Sequence, residues 1–294
     1  MDYCLRATAA NGFIRAFAAT SKTLADKARI LHQSSPTATA ALGRALTAAA
    51  IMGLMAGNDE VIITISIKGA GHLGGLLAVS NGLGTVKGYT HNPKVEMPLK
   101  PNGKLDVGGA IGPGHITVIK DLGLKEPYIG KVELVSGEIA EDIASYFAIS
   151  EQTPSVLSLG VLVDRDYSVK QAGGFLLQLM PGFDDTLIDK LEATMANFPP
   201  ITSLLDKGKS PEDVLHELLS EFGYEITQKS PISYDCNCKK DRVVSALVAM
   251  GAAELKKVIE EDGKADINCH FCNKHYGFDS EELLEILESS SGNS

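Results

Sequence analysis

Four of the chain's five cysteines fall as two tight pairs near the C-terminus, Cys236-Asn237-Cys238 and Cys269-His270-Phe271-Cys272, with thirty residues between the pairs. A C-x-C and a C-x-x-C at this separation supply four sulfur donors, a set that tetrahedral Zn2+ accepts, and a closed all-sulfur site leaves no open position for catalysis. The same sulfurs have a second chemistry. Thiolates are what oxidants attack, and each pair is close enough in sequence to form its own disulfide, the C-x-C ring being the tighter and more strained. Lys239, Lys240, Arg242, His270 and Lys274 flank the sulfurs, and positive charge favours thiolate over thiol. A small unit poor in aromatic residues can owe most of its folding free energy to a metal, about 10–16 kcal/mol in comparable modules. Two readings stand side by side: a structural zinc site with permanently bound metal, as in a zinc-ribbon adaptor, and a catch that oxidation releases.

Composition narrows the context. At 294 residues and 44% hydrophobic, the chain can bury a substantial core and divide into two units. The net charge is −10, and from residue 233 onward 12 acidic residues face 7 Lys or Arg, a difference of −5. That balance argues against a nucleic-acid partner, which needs a basic face to displace counterions. The N-terminus, Met1-Asp2-Tyr3-Cys4-Leu5-Arg6, lacks the pattern of a signal peptide. The longest apolar stretch, Ala45 to Gly57 with Thr47 inside it, is too short for a bilayer. A cytoplasmic protein with no membrane partner is expected, and in that reducing compartment paired cysteines are metal ligands or redox switches rather than static disulfides.

The elements that must position these cysteines follow from periodicity. After an initial strand, residues 1–60 read as helical, with Leu42 and Leu46 recurring at helical spacing in an Ala-rich run that starts at Ser35-Pro36. Ile63, Ile65 and Ile67 alternate with Thr64 and Ser66, the pattern of a strand with one buried face. Further strands are expected at 76–79, 85–89, 116–120, 131–135, 156–163 and 174–180, the last two forming a hairpin around Asp164-Arg165-Asp166. A helix with Ile139, Ile143 and Phe147 on one side precedes that hairpin. The fold class is therefore α+β, with a large, mostly antiparallel sheet and helices in a domain spanning 1–181. Residues 182–232 read as a helical connector: Leu187, Leu191 and Met195 mark one helix, and Ser210-Pro211-Glu212-Asp213 opens another, whose stripe is Val214, Leu218 and Phe222. Such a stripe needs a surface to dock on. Residues 233–294 form a small zinc-binding domain: a knuckle, helices at 241–250 and 253–261, a second knuckle, and a final helix begun at Asp279-Ser280-Glu281-Glu282.

Competing motifs are weaker. Gly69-Ala70-Gly71-His72-Leu73-Gly74 fits G-x-G-x-x-G, but the next residues, Leu76-Leu77-Ala78-Val79, end in a turn and no acid stands about twenty residues on, so a glycine-rich turn is expected rather than a dinucleotide site. His72, His91 and His115 lie in turns without partners at ligand spacing, and Cys4 reads as a small buried hydrophobe. No catalytic constellation stands out, and an enzyme is not expected.

The chain resembles the 33 kDa chaperonin family of redox-regulated heat-shock holdases along essentially its whole length. The resemblance is most specific at the two cysteine pairs and in Glu260-Glu261-Asp262-Gly263 leading to Cys269-His270-Phe271-Cys272-Asn273. It is supported by Thr37-Ala38-Thr39-Ala40-Ala41-Leu42-Gly43-Arg44, Gly103-Lys104-Leu105-Asp106-Val107, Lys120-Asp121-Leu122-Gly123-Leu124, Ala172-Gly173-Gly174-Phe175 and Gln178-Leu179-Met180-Pro181. It implies a cytosolic, ATP-independent chaperone, inactive while reduced and holding one Zn2+ per chain on Cys236, Cys238, Cys269 and Cys272. It implies that oxidation joins Cys236 to Cys238 and Cys269 to Cys272, releases the metal and unfolds the C-terminal domain. The active form, commonly a homodimer, then holds unfolded client proteins. Cys4 has no counterpart in that switch.

Overall fold

The computed structural model describes residues 1–58, 60–183 and 185–291, in two units, Met1–Asp235 and Cys236–Ser294. The first unit begins as a hairpin, β1 (Tyr3–Ala9) and β2 (Ile14–Thr20). The helix α1 (Lys22–His32) follows, then α2 (Pro36–Ala56). Ser35 starts α2 by accepting the Ala38 N–H, Pro36 occupies the first turn where no N–H is needed, and Gly57 ends it with a φ of 70°. Next come β3 (Ile62–Gly69), β4 (Leu76–Asn81), β5 (Thr85–Thr90), α3 (Val107–Ile111), β6 (Gly114–Asp121), β7 (Tyr128–Glu133), α4 (Ala140–Ser150), β8 (Ser155–Val163) and β9 (Val169–Leu179). The unit closes with α5 (Asp185–Ala196), α6 (Ile201–Asp206), α7 (Pro211–Leu219), β10 (Tyr224–Pro231) and β11 (Ser233–Tyr234).

These strands form two sheets rather than one: an antiparallel sheet in the order β10-β1-β2-β9-β8, and a second in the order β11-β5-β4-β3-β6-β7, parallel only where β11 meets β5. The α2 helix touches strands of both sheets. Its Leu42, Leu46 and Ile51 share one core with Phe17 and Leu176 of the first sheet and with Ile63, Ile65 and Ile67 of the second. Sandwiched in this way, α2 is apolar nearly all round, so it carries little of the one-sided periodicity of a surface helix. By length and composition it could cross a bilayer, which corrects the expectation that no segment is long enough; 89% of the relevant window is buried in the protein, as befits a core helix.

The opposite face of the first sheet carries a second core, in which Leu5, Ala7, Ile14, Phe175 and Leu177 meet Leu191, Ile201, Leu204, Val214, Leu215 and Leu218 of α5 to α7. The helical stripe expected at 182–232 thus docks on the sheet. Ser210 caps α7 reciprocally with Asp213. The end of this segment is not helical: β10 is an edge strand paired with β1. Its sequence, Tyr-Glu-Ile-Thr-Gln-Lys-Ser-Pro, shows no apolar alternation because its side chains are mostly exposed and main-chain bonds hold it. Residues 14–20, expected to be helical, are likewise a strand, β2, buried on both faces and therefore without alternation.

The turn between β3 and β4 contains Gly69 and Gly71, and backbone packing explains them. A Cβ on Gly69 would lie 2.0 Å from the Ile111 carbonyl oxygen, and one on Gly71 2.4 Å from that of Ala110. The glycines admit α3 against the turn.

A polar cluster ties α2 to the start of α4. Arg44 Nη1 donates to Glu138 Oε2 at 2.7 Å, and Lys100 binds the other carboxylate oxygen. Burial opposes charge on Glu138, but the Lys100 and Arg44 hydrogen bonds outweigh it and hold the carboxyl below the usual carboxylate range. A depressed carboxyl stabilises the fold above its unfolded pKa, about 4.3 for Glu, and that contribution fades as pH falls through the lower, folded value. Glu138→Gln should therefore lower stability at neutral pH and flatten the acid limb of a denaturation-midpoint profile below about pH 4.3; an unchanged acid limb would contradict the assignment.

Candidate metal and redox centre

The second unit comprises α8 (Lys240–Ala249), α9 (Ala252–Glu261), β12 (Lys264–Asn268), β13 (His275–Asp279) and α10 (Ser280–Ser291). Asp279 Oδ1 accepts the Glu282 N–H at 2.9 Å and so starts α10. The buried core of this unit is small, made by Leu247, Leu255, Tyr276, Phe278, Leu283, Ile286 and Leu287, with Cys238 and Cys269 packed at its margin.

Each cysteine pair sits in a turn that local hydrogen bonds build. Cys269 follows the last residue of β12, and its carbonyl accepts the N–H groups of Cys272 at 3.3 Å and Asn273 at 2.8 Å. Asn273 takes left-handed backbone with φ 55°, a conformation asparagine tolerates, and the chain then re-enters β13. Cys236 and Cys238 precede α8, and Arg242 Nη1 donates to Asn237 Oδ1 at 2.9 Å, bracing the turn between them.

The fold gathers all four sulfurs within 4.8 Å of one another. Cys236 Sγ lies 3.7 Å from Cys269 Sγ, and Cys238 Sγ lies 3.2 Å from Cys272 Sγ. All four are free thiols, so these approaches are not disulfides. A tetrahedral centre with bonds of about 2.3 Å sets its sulfurs roughly 3.8 Å apart. The separations present are close to that figure, and the donor set is all sulfur, so the residues fit a zinc-like ion.

The electrostatics are those of four crowded acids. Burial and hydrogen bonding with its thiol neighbours push Cys272 up to about 12, and Cys236 is raised in the same way. At Cys238 burial again opposes ionisation, yet hydrogen bonds from the Tyr276 hydroxyl and the neighbouring thiols outweigh it and bring the thiol down to about 7. The Tyr276 hydroxyl lies 3.3 Å from Cys238 Sγ and 3.0 Å from the Cys238 carbonyl oxygen. Its hydrogen bond to Cys238, with burial second, raises the phenol to about 12.

Sequence reading points to flanking cations as the groups that favour thiolate, whereas the structure turns several elsewhere. Lys240 pairs with Glu282 and lies 5.0 Å from the centre of the Phe278 ring, and Lys274 lies over the Tyr276 ring at 5.3 Å. Tyr276, four residues beyond Cys272, is the functional side chain that sequence reasoning missed. A β-hairpin continuing from the second knuckle would have aimed it back at the first, but β12 and β13 are only five residues each and their alternation is short. Cys4 lies in the first unit, 2% exposed, its thiol raised to about 12 by burial.

A family profile described as Hsp33 protein matches residues 2–279. The 33 kDa chaperonin of Clostridioides difficile (strain 630) is 53% identical over 288 residues, covering 98% of this chain and 99% of that one. The 33 kDa chaperonin of Lachnoclostridium phytofermentans is 48% identical over 289 residues, covering 98% and 99%. The crystal structure of the 33 kDa chaperonin of Thermotoga maritima superposes with a TM-score of 0.90 at 38% identity, with 99% of each chain covered. The chain belongs to the Hsp33 protein family.

Proposed function

We propose that the protein is a redox-regulated, ATP-independent holdase that binds unfolding proteins under oxidative and heat stress. In this reading Cys236, Cys238, Cys269 and Cys272 hold one Zn2+ per chain in the reduced state. The observation that carries it is the gathering of four sulfurs within 4.8 Å at the margin of a unit with only seven buried apolar residues among those described. Bound at these sulfurs, a zinc ion supplies cross-linking between the two knuckles, with folding free energy of about 10–16 kcal/mol in comparable modules.

Oxidation acts on the sulfurs themselves. A thiolate attacks peroxide and becomes a sulfenic acid while the leaving oxygen departs as water; the neighbouring thiol then displaces a second water and closes the disulfide. Each disulfide yields two electrons to one peroxide, so joining Cys236 to Cys238 and Cys269 to Cys272 consumes two. The sulfurs are then no longer anionic donors. With its cross-link gone, the second unit keeps a core too small to stay folded. Unfolding that reaches back along the chain loosens α5 to α7 and bares the apolar stripe now docked on the first sheet, and contiguous apolar surface of that kind binds unfolded chains. The activated protein works as a homodimer, acts as a binder and not as an enzyme, and resides in the cytoplasm without nucleic-acid or membrane partners.

Peroxide at raised temperature should release zinc from the reduced, loaded protein and raise its suppression of client aggregation in parallel. Retention of zinc, or its release with no gain in suppression, would sink the switch and leave the permanent structural site. Replacing Cys269 and Cys272 by Ser should abolish tight zinc binding and make residues 236–291 protease-sensitive without oxidant; unchanged resistance would show that metal does not hold the unit. Tyr276→Phe removes a hydroxyl that contacts a ligand sulfur and should weaken zinc retention against a chelator roughly 10–100-fold, whereas unaltered retention would exclude Tyr276 from the site.

A further inference from the structure

β10 covers an edge of the first sheet with its backbone rather than its side chains. It runs antiparallel to β1 from the pair Tyr3–Pro231 to the pair Ala9–Tyr224, and Glu225 to Lys229 are all exposed. Thr227 is a bulge: Arg6 pairs with Gln228 and Ala7 with Ile226, and the Thr227 hydroxyl donates to the Arg6 carbonyl at 3.2 Å. β1 itself is an interior strand, its Leu5, Ala7 and Ala9 buried and its other side paired to β2. The edge beneath β10 is therefore a rigid row of main-chain donors and acceptors, and the segment lying on it shows what that edge accepts: an extended chain with almost no demand on side-chain identity.

Side chains fasten both ends of the strand: Tyr224 packs on the helical core with its hydroxyl 3.4 Å from His216 Nδ1, and a clamp holds the end that precedes Ile232. Lys229 Nζ sits 3.9 Å above the Tyr3 ring and 3.0 Å from Glu212 Oε1 of α7, and the Tyr3 hydroxyl donates to Glu212 Oε2 at 2.5 Å. This clamp binds β1, β10 and α7 at one point. Just beyond it Ile232 and Tyr234 are buried in the main core, with the Tyr234 hydroxyl donating to the Gly88 carbonyl at 2.9 Å. Cys236 stands two residues after Tyr234. The strand is thus pinned at both ends, while the stretch from Glu225 to Gln228 rests on its ladder and the Thr227 hydroxyl.

We propose that β10 is a displaceable strand that fills, in the resting protein, an edge of β1 taken over after oxidation by an extended segment of an unfolded polypeptide. This rests on the holdase reading and adds to it a main-chain pairing site, distinct from the apolar stripe of α5 to α7. Such a site places little demand on client sequence, because every unfolded chain carries the groups it pairs with.

Amide hydrogen exchange on the full-length protein tests it, with carboxymethylated α-lactalbumin as a permanently unfolded probe and its aggregation-prone parent monitored for holding in the same samples. In the resting protein residues 3–9 and 224–231 are protected. After oxidation both open; with the probe bound, residues 3–9 regain at least tenfold protection while 224–231 keep exchanging. A strand-forming peptide should likewise bind at least tenfold more tightly than its twin methylated at alternate backbone nitrogens. Continued protection of 224–231 in the probe-loaded protein, or an open β1 beneath a bound probe, overturns the proposal and leaves the holdase reading intact. Reprotection of β1 without probe, rising with protein concentration, assigns the edge to a second copy and also overturns it. Loss of all holding removes the underlying reading and the proposal with it. In the resting protein Tyr3→Phe, which removes only the hydroxyl bound to Glu212, should speed exchange of 224–231 about tenfold with zinc retention unchanged; unaltered exchange overturns the clamp.

Discussion

Four acidic thiols held within 4.8 Å cannot all ionise in the absence of a compensating cation. Their crowding is the constraint on which the second unit depends. The knuckle after β12 and the turn before α8 are brought together at these sulfurs, and among the described residues the unit has only seven buried apolar side chains with which to hold itself closed. A core of that size supplies little stability by burial alone. A cation on the sulfurs turns mutual repulsion into a cross-link, while oxidation removes the charge and the cross-link together. On the proposed reading the stability of the unit is a property of sulfur chemistry, and burial sets only how little remains without it.

The first unit is built on the opposite principle. α2 buries residues against both sheets, and the interior is packed from Ala, Val, Ile and Leu at close backbone approach. Gly69 and Gly71 admit α3 at distances that leave no room for a methyl group. The unit's one cysteine, Cys4, is buried and resists ionisation. Within the same unit, Leu191, Ile201, Val214 and Leu218 of α5 to α7 cover one face of a sheet that packs on α2 with its other face. A layer of that kind can leave without dissolving what lies beneath.

Legibility in the sequence followed burial pattern. β3 was readable because Ile63, Ile65 and Ile67 face one core and Thr64 and Ser66 do not, and α7 because Ser210 and Asp213 write its cap into four residues. β2 and β10 were not readable, for opposite reasons. β2 is buried on both faces and β10 on neither, so neither alternates, and the first sheet could not be closed from sequence alone. The four cysteines announced the centre by type and spacing. Tyr276 did not, because its place beside Cys238 depends on the β12–β13 hairpin, and a tyrosine near a cysteine motif carries no signal until the strand register is known.

The pairing of sulfurs explains how so local an oxidation can open a whole unit. In the resting structure the closest approaches join Cys236 to Cys269 and Cys238 to Cys272, each bridging the two knuckles. Disulfides along those lines would close loops of more than thirty residues and, on the chain-entropy account, stabilise the fold by roughly 3 kcal/mol or more. Disulfides within the knuckles close rings of three and four residues, constrain the unfolded chain little and tie nothing distant together. The outcome therefore turns on which partner a sulfenic acid meets first, and sequence proximity favours the partner two or three residues away because that encounter survives loosening of the unit. Once one knuckle has closed on itself, the other loses its cross-knuckle partners and can only do the same. In the proposed switch, local disulfides spend the sulfurs that a long-range tie would need, and oxidation, which elsewhere rigidifies a protein, removes a cross-link.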